Sequence, residues 1–68
     1  MKKINTPLTE KQLLDLKGTG VLVYWDILSD FIDDELKPCW ISVDEALGEN
    51  SSFAEIMQVG DFYMREAN

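Results

Sequence analysis

The sequence predicts a small α+β domain, a roughly three-stranded sheet with two or three short helices packed on one side. Three observations carry that expectation. The chain has 68 residues, enough for one domain spanning 1–68 and no more. Its densest apolar run, "VLVYWDIL" at residues 21–28, is rich in β-branched and aromatic side chains, which suit a pleated strand. A Ser or Thr also stands three residues before a Glu or Gln at Thr9/Gln12, Ser42/Glu45 and Ser52/Glu55. That spacing opens helices, because each side chain can satisfy a backbone N–H at the other's position. Helix-opening and strand signals alternate with no internal repeat or low-complexity tract, a pattern that fits one mixed domain.

The first helix is expected over 9–17. Leu8 and Leu13 occupy the staple positions on either side of the Thr9 cap, Leu14 and Leu16 add apolar surface, and Gly18 supplies the stop. Lys17 suits the negative end of the helix dipole. Two turns are not stable alone in water, so this helix must dock.

A strand follows near 20–28, after the Gly18-Thr19-Gly20 breaker. Val21, Val23, Trp25 and Ile27 fall on one face, and Leu22, Tyr24 and Leu28 on the other, where Asp26 is the exception. Two apolar faces predict a central strand, or one whose second face meets another molecule.

In "SDFIDDELKP", residues 29–38, Ser29 is a candidate cap. Asp30 and Asp33 sit in the first turn, and Ile32 and Leu36 stand four apart before Pro38. The pattern predicts a short helix over 29–37, with a hairpin loop through Asp33-Asp34 as the competing reading. "CWIS" then predicts a strand near 39–43 running into a helix opened by Ser42. Gly48 and "ENSS" interrupt that helix. Ser52 opens another over 52–58, where Phe53, Ile56 and Met57 share a face. Gly60 ends it, and a last strand is expected near 61–66. Trp25 and Trp40, each in a predicted strand, are both expected to pack in the core.

So small a core is marginal, supplying about 3–5 kcal/mol without a staple. Cys39 is the single cysteine and histidine is absent, so neither an intrachain disulfide nor a Cys/His zinc site can add to it. Self-association or a partner is the remaining source of stability. The N-terminal "MKKINTPLTEKQ" has no apolar run behind its lysines, and no stretch approaches the roughly 20 apolar residues that cross a bilayer. A cytoplasmic protein with a free thiol is therefore expected.

The net charge is −7, and all of it lies in residues 26–49. That segment holds eight acids against Lys37, while the rest of the chain holds five acids and five bases. Such asymmetry bears on partners more than on fold. It disfavours direct contact with nucleic acid or an anionic membrane, and favours a basic protein.

Chemistry is harder to place. Without histidine, no Ser-His, Cys-His or His-metal arrangement exists. Cys39 reads as a small buried hydrophobe, since only Lys37 is near enough in sequence to activate it. "KGTG" lacks the length and the Lys-Ser/Thr of a phosphate-binding loop. No register of the acids gives EF-hand ligand positions with the required glycine, which leaves at most a weak ion site at Asp30, Asp33 and Asp34. Paired carboxylates could serve a glycosidase, but 68 residues leave little room for a sugar cleft. No catalytic residue, cofactor or metal is expected.

What remains is surface. Asp26, Asp30, Phe31, Asp33, Asp34 and Glu35, with Asp44 and Glu45, are the candidate partner-binding residues. Trp25, Ile27, Phe31 and Ile32 are interleaved with the first acids, and apolar anchors rimmed by charge give an interface both affinity and steering. The expected function is a non-catalytic acidic protein-binding module. In concrete form it is a small inhibitor or adaptor docking on a basic, nucleic-acid-binding surface, its carboxylates imitating phosphates. The competing readings are a homo-oligomeric assembly protein that buries surplus aromatics, and a purely solvated acidic face.

Overall fold

The computed structural model describes residues 4–49 and 52–66. Its described elements are helix α1 (Glu10–Leu16), strand β1 (Leu22–Ile27), strand β2 (Cys39–Ser42), helix α2 (Val43–Leu47), helix α3 (Phe53–Val59) and strand β3 (Gly60–Tyr63). The predicted α+β class is what the chain adopts. The interruption expected at Asn50 and Ser51 falls outside the described residues.

β1 is the central strand, in the order β2-β1-β3, and both neighbours run antiparallel to it. β2 and β3 are therefore parallel to each other, and α2 and α3 form the crossover between them. Crossovers of this kind put their helices on a face of the sheet. The buried side chains Val23, Trp25, Ile27 and Phe62 of the sheet form one core with Leu8, Leu13, Val43, Ala46 and Ile56. β1 alternates accordingly, its odd positions from Val23 to Ile27 buried and Tyr24 and Asp26 half-buried. Along the outer side of β3, the Ile4 N–H donates to Met64 O (2.8 Å) and the Leu8 N–H to Phe62 O (2.7 Å).

The helix starts follow the sequence closely. Thr9 and Gln12 form a complete capping box, and Leu8 and Leu13 are both buried beside it. The hydroxyls of Ser42 and Ser52 accept from Glu45 N–H and Glu55 N–H, at 3.2 Å each. Gly60 follows α3 with extended backbone, so its need for glycine is not conformational. A Cβ there would touch the Asp26 carbonyl oxygen and lie 2.7 Å from Ile27 Cα. The tight approach of β3 to β1 requires the missing side chain.

Three expectations are corrected. Residues 29–37 form no α-helix, only a single 3-10 turn at Ser29–Phe31. Asp33 is the reason, because its carboxylate accepts from Glu35 N–H (2.8 Å) and Leu36 N–H (2.7 Å). These local bonds offer the backbone an alternative to a helix. The competing reading was right, since residues 28–38 connect two antiparallel strands. Cys39 is exposed rather than buried, lying at the start of β2. Trp40 is not in the core. It is half-buried and stands edge-on to Tyr24, with ring centroids 5.3 Å apart.

Candidate protein-binding surface

The β1–β2 connection, residues 28–38, is a long loop held at several points. At its start the Leu28 N–H donates to Val59 O at 2.9 Å, tying it to the end of α3. The 3-10 turn closes through Phe31 N–H to Leu28 O (2.9 Å) and Ile32 N–H to Ser29 O (3.3 Å). Ile32 then turns extended, and a tight turn follows in which Asp33 N–H donates to Leu36 O at 3.0 Å. Leu36 packs against the core. Local bonds and one apolar anchor thus fix the loop from both ends.

Between those anchors the loop displays what a core would normally hide. Leu28, Phe31 and Ile32 are 54%, 45% and 45% exposed. Asp30, Asp33, Asp34 and Glu35 are exposed around them. Trp25 and Ile27, which the sequence also offered as anchors, are buried. The interleaving of apolar and acidic residues is therefore real only from Leu28 onward.

The remaining candidate residues lie elsewhere. Asp26 is on β1, half-buried on the face away from the helices and directly opposite Asp61 of β3. Asp44 and Glu45 are exposed in the first turn of α2. The β1–β2 register runs from Trp25↔Cys39 beside the loop to Leu22↔Ser42 beside α2. Three strand steps, about 10 Å, therefore separate the loop from the start of α2. The segment that is continuous in sequence is split in space. Asp44 is also engaged within the fold, its Oδ2 accepting from Gly18 N–H at 2.8 Å. That bond clasps the end of α1 to the start of α2.

A surface that sequence reasoning did not assemble lies on the open side of the sheet. Tyr24 is paired with Trp40 of β2 and with Tyr63 of β3, so the three rings form one row across all three strands. All three are half-buried, and none belongs to the helix-side core. The signal was present as a parity: Tyr24 and Asp26 share a face, and a carboxylate beside a ring argues against core. Cross-strand partners were not readable without the register. Beyond the row, on the side away from the β1–β2 loop, Val21, Leu22, Met64 and Arg65 line a cleft of about 300 Å³.

Among the described residues, no three Cys, Asp or Glu side chains converge as an ion site would require, Asp30, Asp33 and Asp34 included. No described helix is long and apolar enough to cross a membrane. No family model, curated protein or solved structure matches the chain.

Proposed function

We propose that the protein is a non-catalytic binding module that docks on a basic surface of a partner protein through its β1–β2 loop. It acts there as a small inhibitor or adaptor, competing with nucleic acid for the partner's Lys and Arg side chains. One observation carries this reading. Exposed Phe31 and Ile32 lie in a loop held by local hydrogen bonds and are flanked along the chain by exposed Asp30, Asp34 and Glu35. Apolar residues shown to water in a fixed geometry suit burial against a partner, and the carboxylates steer a basic partner toward them. Preorganisation lowers the ordering cost of binding. A lone exposed thiol at Cys39 favours a reducing compartment, and we place the protein in the cytosol on that ground.

The test is affinity capture from cell lysate at low and high salt, with the wild-type chain and an Asp30→Asn/Asp34→Asn/Glu35→Gln variant side by side. A basic protein is expected to be retained by the wild type at low salt. It should be released by salt or by added duplex DNA, and lost with the variant. Equal capture by both chains would remove the loop from the interface.

A further inference from the structure

We infer that the outer edge of β2 accepts an extended, basic segment of the partner protein as a fourth strand of the sheet. The inference rests on the reading of this protein as a binder of basic partners, and it assigns a second surface and a conformation to the partner's segment. The two edges of the sheet differ. The outer side of β3 already holds the N-terminal segment, through Ile4 N–H to Met64 O and Leu8 N–H to Phe62 O. β2 is the other end strand, and among the described residues none pairs with its outer side. Every second residue of such a strand turns its N–H and C=O away from β1, and a further strand satisfies them. Edge strands are commonly blunted by charge or proline, yet Cys39-Trp40-Ile41-Ser42 contains neither. Cys39 is exposed and Trp40 and Ile41 are half-buried, whereas Ser42 is buried and caps α2. Pairing therefore spans Cys39 to Ile41, and Pro38, which has no N–H, limits it on one side.

Charge complementarity decides the occupant. Exposed Asp34 and Glu35 precede this edge and exposed Asp44 and Glu45 follow it. The two acidic groups, about 10 Å apart along β2, thus bracket one open strand. The only base between them is Lys37. Asp44 also accepts from Gly18 N–H, a neutral donor that leaves the carboxylate its charge. A segment with Lys or Arg at both ends and β-branched residues between them matches this pattern. Its ends meet the carboxylates, and its centre lies beside Trp40 on one face and Ile41 on the other. Main-chain bonds give such a strand its affinity, and the flanking charges select it. A second copy of this chain fits worse. Antiparallel pairing of two β2 strands sets Asp34 and Glu35 of each copy beside Asp44 and Glu45 of the other, in a protein of net charge −7. Parallel pairing sets each acid beside its own copy, and like charges side by side are destabilising.

The probes are synthetic heptapeptides titrated into the full chain at low salt, with amide NMR shifts and hydrogen exchange followed. The first is Lys-Arg-Val-Thr-Val-Arg-Lys, the second is the same peptide N-methylated at its three central residues, and the third carries Glu in place of each Lys and Arg. Methylation removes the backbone donors and keeps the charges and side chains. The expected result is that the first peptide shifts the amides of Cys39, Trp40 and Ile41 and slows their exchange. The methylated peptide should bind roughly tenfold more weakly or worse, the share of two backbone hydrogen bonds, and the acidic one should not bind. Glu45→Gln should weaken the first peptide about two- to fivefold, the share of one exposed ion pair. Equal affinity of the two basic peptides overturns strand addition, and shifts then confined to residues 28–38 leave the loop reading intact. Equal binding of the acidic peptide overturns the basic occupant. No binding of the first peptide also overturns this inference, while capture from lysate decides the loop reading separately. Concentration-dependent dimerisation that protects the same amides without peptide overturns it in favour of a second copy.

Discussion

The Trp25 and Phe62 rings lie stacked across the β1–β3 ladder, with centroids 5.2 Å apart and planes 13° from parallel. The Trp25 indole N–H also donates to Gly60 O at 3.2 Å. One side chain thus fills the core between β1 and β3, and its polar edge is satisfied by the strand it packs on. Phe62 is among the largest fully buried side chains, and Gly60 sits where the β1 backbone at Asp26 and Ile27 leaves no room for a side chain.

Replacing that ring should unfold the protein. Trp25→Ala leaves a cavity and an unpaired carbonyl, at a cost of about 3–5 kcal/mol, and a core of this size offers about as much in total. Circular dichroism at room temperature should show a largely unfolded chain. Trp25→Phe keeps a ring against Phe62 and should fold with a lowered midpoint. A native spectrum for Trp25→Ala would remove the indole from the core.

Gly60→Ala should be destabilising although the backbone there is extended. The new methyl meets backbone atoms of Asp26 and Ile27, which cannot rotate away as a flexible side chain would. The strands must separate, costing about 1–3 kcal/mol in the manner of overpacked cores. Gly18→Ala is a useful contrast. No atom lies within 4 Å of the added carbon, but φ is +81°, so its cost is the left-handed conformation alone, about 1–2 kcal/mol. Urea midpoints of the two variants should both fall, and only Gly60→Ala should shift the β1 and β3 amide resonances.

Asp44 and Glu45 are neighbours in sequence with the same charge, but they should respond differently to truncation. Asp44→Ala breaks the bond to Gly18 N–H and should cost about 1 kcal/mol, as a charge-assisted hydrogen bond does when partly solvated. Glu45→Ala keeps its own backbone bond to Ser42 Oγ and should lie within about 0.5 kcal/mol of wild type. Thermal melts resolve this. Equal melting of the two variants would mean that the α1–α2 clasp contributes nothing.

These contrasts show where the sequence was legible. Caps are local chemistry, so Thr9, Ser42 and Ser52 announced the helix starts within a residue. β1 announced itself by composition, but both of its faces read as apolar, and the structure buries only the one carrying Val23, Trp25 and Ile27. The side taken by Trp40 was not legible either, because which face of β2 is covered depends on a register set across an eleven-residue loop. Slipping one residue would exchange its faces. The helix expected over 29–37 failed for a related reason. Asp33 fits a helix's first turn and an Asx-type turn equally well, and the β1–β2 pairing on both sides selected the turn. The acidic segment looked like one patch because chain continuity hides the length of a strand.

The loop itself yields the decisive prediction, since charge and geometry can be separated at Asp33. Its Oδ1 holds the amides of Glu35 and Leu36. Asp33→Asn keeps an oxygen acceptor at that place and removes the charge, whereas Asp33→Ala removes both. Charge lost from an exposed acid mainly slows association, and salt screens such attraction over about 8 Å at physiological ionic strength. Asp33→Asn combined with Asp34→Asn should therefore bind the captured partner several-fold more weakly, with a flatter salt dependence and an unchanged melting curve. Asp33→Ala alone should weaken binding through the ordering cost of a loosened loop. Amide exchange at Glu35 and Leu36 should then speed up, while the salt slope changes only by one charge. Phe31→Ala should show a third signature, faster dissociation with little change in association, as expected when an apolar anchor is lost. If the Asn pair binds with unchanged affinity and salt slope, the loop carboxylates are a solvated face, and the phosphate-mimic reading falls with them.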